Sequence, residues 1–133
     1  MSKIIAIVEQ IQNIDNLNIV TFSCGDVELK MMSLDINVNI KVGKKVLLNC
    51  KPSSISIAKD FEGQISISNI LQSKVLSILK GELLSIVTLD FQGFKLESLI
   101  TSKAIEKIQL KENENVSAFV KASELYIVEC IDE

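Results

Sequence analysis

Ile19-Val20-Thr21-Phe22 is written again as Ile86-Val87-Thr88-Leu89, and Cys50-Lys51-Pro52-Ser53 is written again as Val120-Lys121-Ala122-Ser123. Val20 and Val87 stand 67 residues apart, whereas Lys51 and Lys121 stand 70 apart. A duplicated unit that has lost three residues between its anchors in the first copy accounts for both spacings. A fixed period of this kind is the signature of like modules in tandem. The doubled phrase therefore predicts two small units rather than one larger domain.

Working outward, the flanking residues alternate. In Ser85 to Phe91 the residues Val87, Leu89 and Phe91 share one face, and Ile86, Thr88 and Asp90 share the other. In Val116 to Lys121 the residues Val116, Ala118 and Val120 alternate with Ser117, Phe119 and Lys121. Both patterns predict half-buried strands, and Lys44 to Cys50 and Ile65 to Leu71 follow with more noise. Turn residues punctuate these runs at Cys24-Gly25-Asp26, Lys80-Gly81, Gln92-Gly93 and Glu112 to Asn115. Short strands at this spacing predict barrels or sandwiches.

One segment departs from the pattern. Thr101-Ser102-Lys103-Ala104-Ile105-Glu106-Lys107-Ile108 places a capping hydroxyl before helix formers, with Ile105 and Ile108 three apart. It predicts a single short helix. The matching stretch of the first copy, Ser33 to Ile40, is rich in Asn and β-branched residues and predicts a turn. Asp60-Phe61-Glu62-Gly63-Gln64 is the expected hinge, dividing the chain into modules at 1–60 and 65–133. A module of this size buries too little surface to be stable alone, so the copies are expected to pack on each other or on further chains.

Composition narrows the chemistry. Hydrophobic residues make up 47 % of the chain but aromatics only 5 %, so the core must be built from Ile, Val and Leu, which favours strands. There is no histidine and no arginine, and all 14 basic residues are lysine. The commonest general base and metal ligand is thus missing, as is the planar fork that reads phosphate and guanine. A net charge of −3 and a pI near 5.1 oppose broad attraction to nucleic acid or anionic membrane. No nucleophile–base pair or metal-ligand cluster can be assembled, so an enzyme is not expected. Any bound anion must be held locally by lysine, hydroxyls and backbone N–H groups.

Cys24, Cys50 and Cys130 lack CxxC spacing and read as buried structural thiols in a reducing cytosol. The N-terminus carries no secretory signal, and no apolar run approaches the ~20 residues that span a bilayer. A cytoplasmic protein without membrane insertion is expected. Met31-Met32 reads as core packing and the acidic tail Glu129 to Glu133 as solvated.

The second copy carries an ordered set of short motifs. Ser66-Ile67-Ser68-Asn69-Ile70-Leu71 opens it; Gly81, the Ile100-Thr101 pair and Leu110-Lys111 follow; Lys121-Ala122-Ser123 closes it. This set resembles the Mop, or TOBE, domain of the molbindin family across residues 65–128, and more weakly across 1–59. The resemblance implies an all-β chain of two tandem OB-like β-barrel modules, each with at most one short helix. It further implies reversible binding of a small inorganic oxyanion, molybdate or tungstate, at module and subunit interfaces. The implied role is storage, buffering or homeostasis of the ion, in a homo-oligomer, a trimer in the two-module forms. The alternative within the family is a molybdate-sensing regulatory module without its own DNA-binding domain, acting through a transporter or regulator partner. Direct nucleic-acid binding by an OB fold is disfavoured, because the few aromatics and absent basic groove do not suit single strands.

The implied ligands are Ser66, Ser68, Asn69, Thr101, Lys121, Ala122 and Ser123, with Lys51 and Ser53 as their counterparts in the first copy. These residue types suit a tetrahedral dianion. Lysine supplies a compact charge, serine and threonine donate without bulk, and exposed amides at a turn or helix start form an anion nest. Two positions depart from the family pattern: Ser68 stands where it has arginine, and Ala104 where it has serine. Each loss removes a hydrogen bond to a charged group, roughly 1.5–3 kcal/mol. Pro52 removes an amide from the first copy, and Met1-Ser2 begins too late to hold the opening motif. The first copy is therefore expected to bind weakly or to act as scaffold.

Overall fold

The computed structural model describes residues 3–131. Its strands are β1 (Lys3–Ile14), β2 (Leu17–Cys24), β3 (Val27–Ser33), β4 (Lys45–Asn49), β5 (Ser56–Ala58), β6 (Asn69–Lys80), β7 (Leu84–Phe91), β8 (Phe94–Thr101), β9 (Asn115–Val120) and β10 (Tyr126–Cys130). One α-helix, α1 (Ser102–Ile108), follows β8, and a 3-10 turn covers Pro52–Ser54. The fold is all-β, with two OB-like modules and one short helix.

The duplication is visible strand by strand. β1 pairs with β4 so that Lys3 faces Asn49, and β6 pairs with β9 so that Ile70 faces Phe119. These partners are displaced by the same 67 and 70 residues as the repeated phrases. Even the bulges repeat, between Val8 and Gln10 in β1 and between Val75 and Ser77 in β6. The three-residue difference falls between β3 and β4, where the first copy has turns and the second has α1. Thr101 caps that helix by accepting a hydrogen bond from the Ala104 N–H at 3.2 Å, and Gln109 closes it in the left-handed region at φ 52°. Glycine meets the same demand in the β2–β3 turn, where Gly25 has φ 62°.

The closing strands are exchanged. The first sheet runs β10-β4-β1-β2-β3 and the second β5-β9-β6-β7-β8. Each half of the chain thus sends the strand after its Lys-x-Ser turn into the other half's sheet. The exchange covers an otherwise open edge on β4 and on β9 and ties the two sheets into one continuous buried cluster. Val20, Phe22 and Cys24 fill it from β2, and Val87, Leu89 and Phe91 from β7, all at 3 % exposure or less. Burying each large aliphatic or aromatic side chain contributes about 1.5–3 kcal/mol.

Four expectations need correction. β9 is covered on both faces rather than one: Ser117 and Phe119 are buried along with Val116, Ala118 and Val120. The cover comes from the connecting segment, whose Phe61 ring meets Phe119 edge-on at 5.1 Å. That segment is also fastened by Lys59, which donates to the Gln109 carbonyl at 2.9 Å and pairs with Glu114 at 2.8 Å. β6 begins only at Asn69, so residues 65–68 form no strand. Met31 is core, but Met32 points outward at 41 % exposure, because adjacent strand residues face opposite sides. Cys24 and Cys50 are buried while Cys130 is only partly covered. Glu129 is exposed on β10, and Asp132 and Glu133 of the tail, like Met1 and Ser2, lie outside the described residues.

Candidate functional site

β9 ends at Val120, and the chain then turns through Lys121-Ala122-Ser123-Glu124, with the Glu124 N–H donating to the Lys121 carbonyl at 2.9 Å. This turn does not rest on its own module. The Ala122 carbonyl accepts the Met32 N–H of β3 at 2.9 Å, which seats the turn on the edge of the first sheet. One step away, the buried Asn69 side chain reads the same edge. Its carbonyl oxygen accepts the Lys30 N–H at 2.7 Å and its amide donates to the Lys30 carbonyl at 2.9 Å. Asn69 thus extends the β3 ladder in place of a further strand and holds residues 66–68 beside the turn.

An open groove of about 360 Å³ results, lined by Ser66, Ile67, Ser68, Lys121, Ala122 and Ser123 from the second copy, and by Ile19, Lys30 and Met32 from the first. Five residues expected from the sequence meet here: Ser66, Ser68, Lys121, Ala122 and Ser123. Among the described residues no carboxylate lines the groove. Three serines and the lysines Lys30 and Lys121 therefore surround a shallow apolar floor of Ile19, Ile67 and Met32. The arrangement can hold a small anion by charge and hydroxyl donation.

The remaining expected residues fall elsewhere. Asn69 is 1 % exposed, and its amide is committed to Lys30, so its part is to position the groove. Ser53 lines a neighbouring depression of about 210 Å³ with Ser54, Ser56, Ile67, Phe119, Lys121 and Glu124. The Ser54 hydroxyl donates to the Glu124 carboxylate there at 3.1 Å, and this fixed negative charge disfavours an anion. Lys51 is exposed and lines neither depression. Thr101 lies at the far end of β8, its hydroxyl engaged as the helix cap.

The first copy's Lys-x-Ser turn packs on the opposite module too. Ser98 of β8 donates through its hydroxyl to the Ile55 carbonyl at 2.6 Å, just after the 3-10 turn. Within one chain, Thr101 therefore belongs to the strand that receives the Lys51 turn, not to the groove of Lys121. Lys30 was missed by sequence reading, although it lines the groove. Its ammonium donates to the Thr21 hydroxyl at 3.0 Å and pairs with Glu28 at 3.3 Å. Its place opposite the buried Thr21 across β2 and β3 follows from strand pairing, which no local sequence pattern records.

Beside these sites, burial pushes the Cys50 thiol up to about 11, with the Glu124 charge adding to the effect. Burial also raises Cys24. Hydrogen bonds from Lys59 and from the Lys111 N–H hold the Glu114 carboxyl below the usual range. Among the described residues no three His, Cys, Asp or Glu side chains gather as a metal site, and no helix is long and apolar enough to cross a membrane.

Residues 65–127 match the TOBE domain model. The whole chain is similar in structure to the cytoplasmic molybdate-binding protein ModG, solved with molybdate bound. The TM-score is 0.87 at 24 % identity, over 94 % of this chain and 93 % of that one. A molybdate-binding protein from Sporomusa ovata aligns with half of the chain, covering 50 % of it and all of its own length, at 30 % identity and a TM-score of 0.49. No curated protein sequence matches at a significant level. Residues 65–127 thus carry the match to the TOBE domain, and the chain as a whole shares the all-β, two-module fold with ModG.

Proposed function

We propose that this protein binds molybdate or tungstate reversibly and serves to store, buffer or balance the ion in the cytoplasm. The observation that carries the reading is the convergence of Ser66, Ser68, Lys121, Ala122 and Ser123 on one groove that, among the described residues, no carboxylate lines. Hydroxyls and a compact ammonium suit a tetrahedral dianion, and the Ala122 methyl keeps bulk away from the neighbouring amides. The structural likeness to a cytoplasmic protein that binds molybdate supports the choice of ion. Nothing in the groove demands turnover, so the mechanism is equilibrium binding without covalent steps.

The modules are taken as residues 1–60 and 65–133, each lending its closing strand to the other's sheet. The groove is open on one side, and Thr101 of the same chain lies apart from it. Thr101 is therefore assigned to a site completed between chains, in a homo-oligomer that the family resemblance makes a trimer. Asn69 acts as the strut that holds the groove open, and the Lys51–Ser53 turn as scaffold. The deciding experiment titrates the purified chain with molybdate and with tungstate by calorimetry, alongside native mass and metal content. Tight saturable binding to an oligomer, with a raised melting temperature from ligand linkage, is expected. Unchanged heats and melting at millimolar molybdate and tungstate would end the reading.

A further inference from the structure

We propose that Lys30 is the second cation of the oxyanion groove, and that with Lys121 it makes the site selective for doubly over singly charged tetrahedral anions. The inference rests on the oxyanion reading above and adds to it a residue and a selectivity.

Lys30 and Lys121 come from different sheets, on β3 and just past β9, and both line the same groove. Their backbones are locked in place. Asn69 clamps both the N–H and the C=O of Lys30, and the Met32 N–H two residues on holds the Ala122 carbonyl next to Lys121. The Lys30 side chain is only half-exposed, and the Thr21 hydroxyl at 3.0 Å steers it. An ammonium already ordered loses less freedom on binding than one waving in solvent. Two ammonium groups, Lys121 and a Lys30 shared with Glu28 at 3.3 Å, face the two negative charges of molybdate or tungstate. A monoanion of the same shape would leave one ammonium without its counter-charge.

The duplicated half supplies a comparison inside the same molecule. Glu28 and Lys30 of β3 correspond, 67 residues on, to Lys95 and Glu97 of β8, with the signs reversed. The Lys121 turn therefore lies on a strand presenting lysine at this register, whereas the Lys51 turn lies on one presenting glutamate.

The test titrates the full chain with molybdate and with perrhenate, a tetrahedral monoanion, for the unmodified protein and for Lys30→Met, Lys30→Arg and Glu28→Gln. Lys30→Met is expected to weaken molybdate binding roughly tenfold or more, the scale of one charge-assisted contact. Perrhenate affinity should fall less, so that the ratio between the two anions narrows. Lys30→Arg should retain the ratio, and Glu28→Gln should tighten molybdate binding by freeing the ammonium from its partner. Anion-free melting temperatures of all variants report that the fold is kept. If the unmodified protein binds molybdate and Lys30→Met leaves both affinity and ratio unchanged, Lys30 is no ligand and the oxyanion reading stands without it. If the unmodified protein binds neither molybdate nor tungstate, both fall.

Discussion

The two Lys-x-Ser turns descend from one phrase, yet the molecule surrounds them differently. The Lys121 turn is free of proline and sits beside residues 66–68, on a strand edge that carries Lys30. The Lys51 turn is stiffened by Pro52 into a 3-10 turn, and its serines share a depression with the Glu124 carboxylate. The same three-residue motif is thus a candidate ligand cradle in one place and a structural corner in the other. A motif's chemistry is set by the strand it is delivered to, and the strand exchange delivers each turn to the opposite module.

The comparison breaks most directly at the lysines. Lys121→Ala should weaken molybdate binding tenfold or more, about 1.5–3 kcal/mol for a lost hydrogen bond to a charged group, measured by calorimetry. Lys51→Ala should change the same affinity by less than about twofold, the near-null effect expected of an exposed lysine away from the groove. Equal losses at both positions would mean that the two turns are equivalent after all.

The next largest effect concerns the strut rather than the ligand. Asn69→Ala leaves the Lys30 N–H and C=O without their partners and should cost about 1–3 kcal/mol of stability, read by chemical denaturation. Molybdate binding should fall with it, because residues 66–68 lose their support. Ala122→Pro then rebuilds the first turn within the second. The fold should survive, since proline is tolerated at the equivalent Pro52, while the lost amide weakens anion binding several-fold on the scale of one hydrogen bond.

The smallest effect is a pH dependence. Cys50 has Val120 as its counterpart, and burial, then the Glu124 charge, push its thiol from the ordinary cysteine range up to about 11. The thiol ionises more readily unfolded than folded. Its contribution to stability is therefore complete below pH 9 and lost as pH rises through about 11. Cys50→Val should flatten the fall in melting temperature between pH 9 and pH 11 relative to the unmodified protein.

Much of the fold was legible because its signals are local. Alternation at Val87, Leu89 and Phe91 marks a strand wherever the chain sits, and all three are buried as that pattern requires. The Thr101 hydroxyl before helix formers marks a helix start, and it caps α1. The unequal offsets of 67 and 70 residues bracket the stretch where the second copy has α1 and the first has turns. The candidate site was legible only in part. Ser66, Ser68, Lys121, Ala122 and Ser123 could be named from their order along the chain, and they share a groove. Thr101 could be named with them but stands elsewhere, and Lys30, in the other half of the sequence, could not be named at all.

What the sequence determined by itself is the module: its duplicated strands, its turns, its single helix and the residue types that suit an anion. These follow from side-chain periodicity and backbone preference within a few residues. What only the tertiary structure decided is the partnership between modules. β5 and β10 cross into each other's sheets, Asn69 extends β3 with its side chain, and Phe61 covers a face of β9 that alternation leaves open. Strand order is chosen by which edges can satisfy each other's backbone hydrogen bonds while burying both apolar faces. That choice joins residues too far apart in the chain for any local pattern to record it.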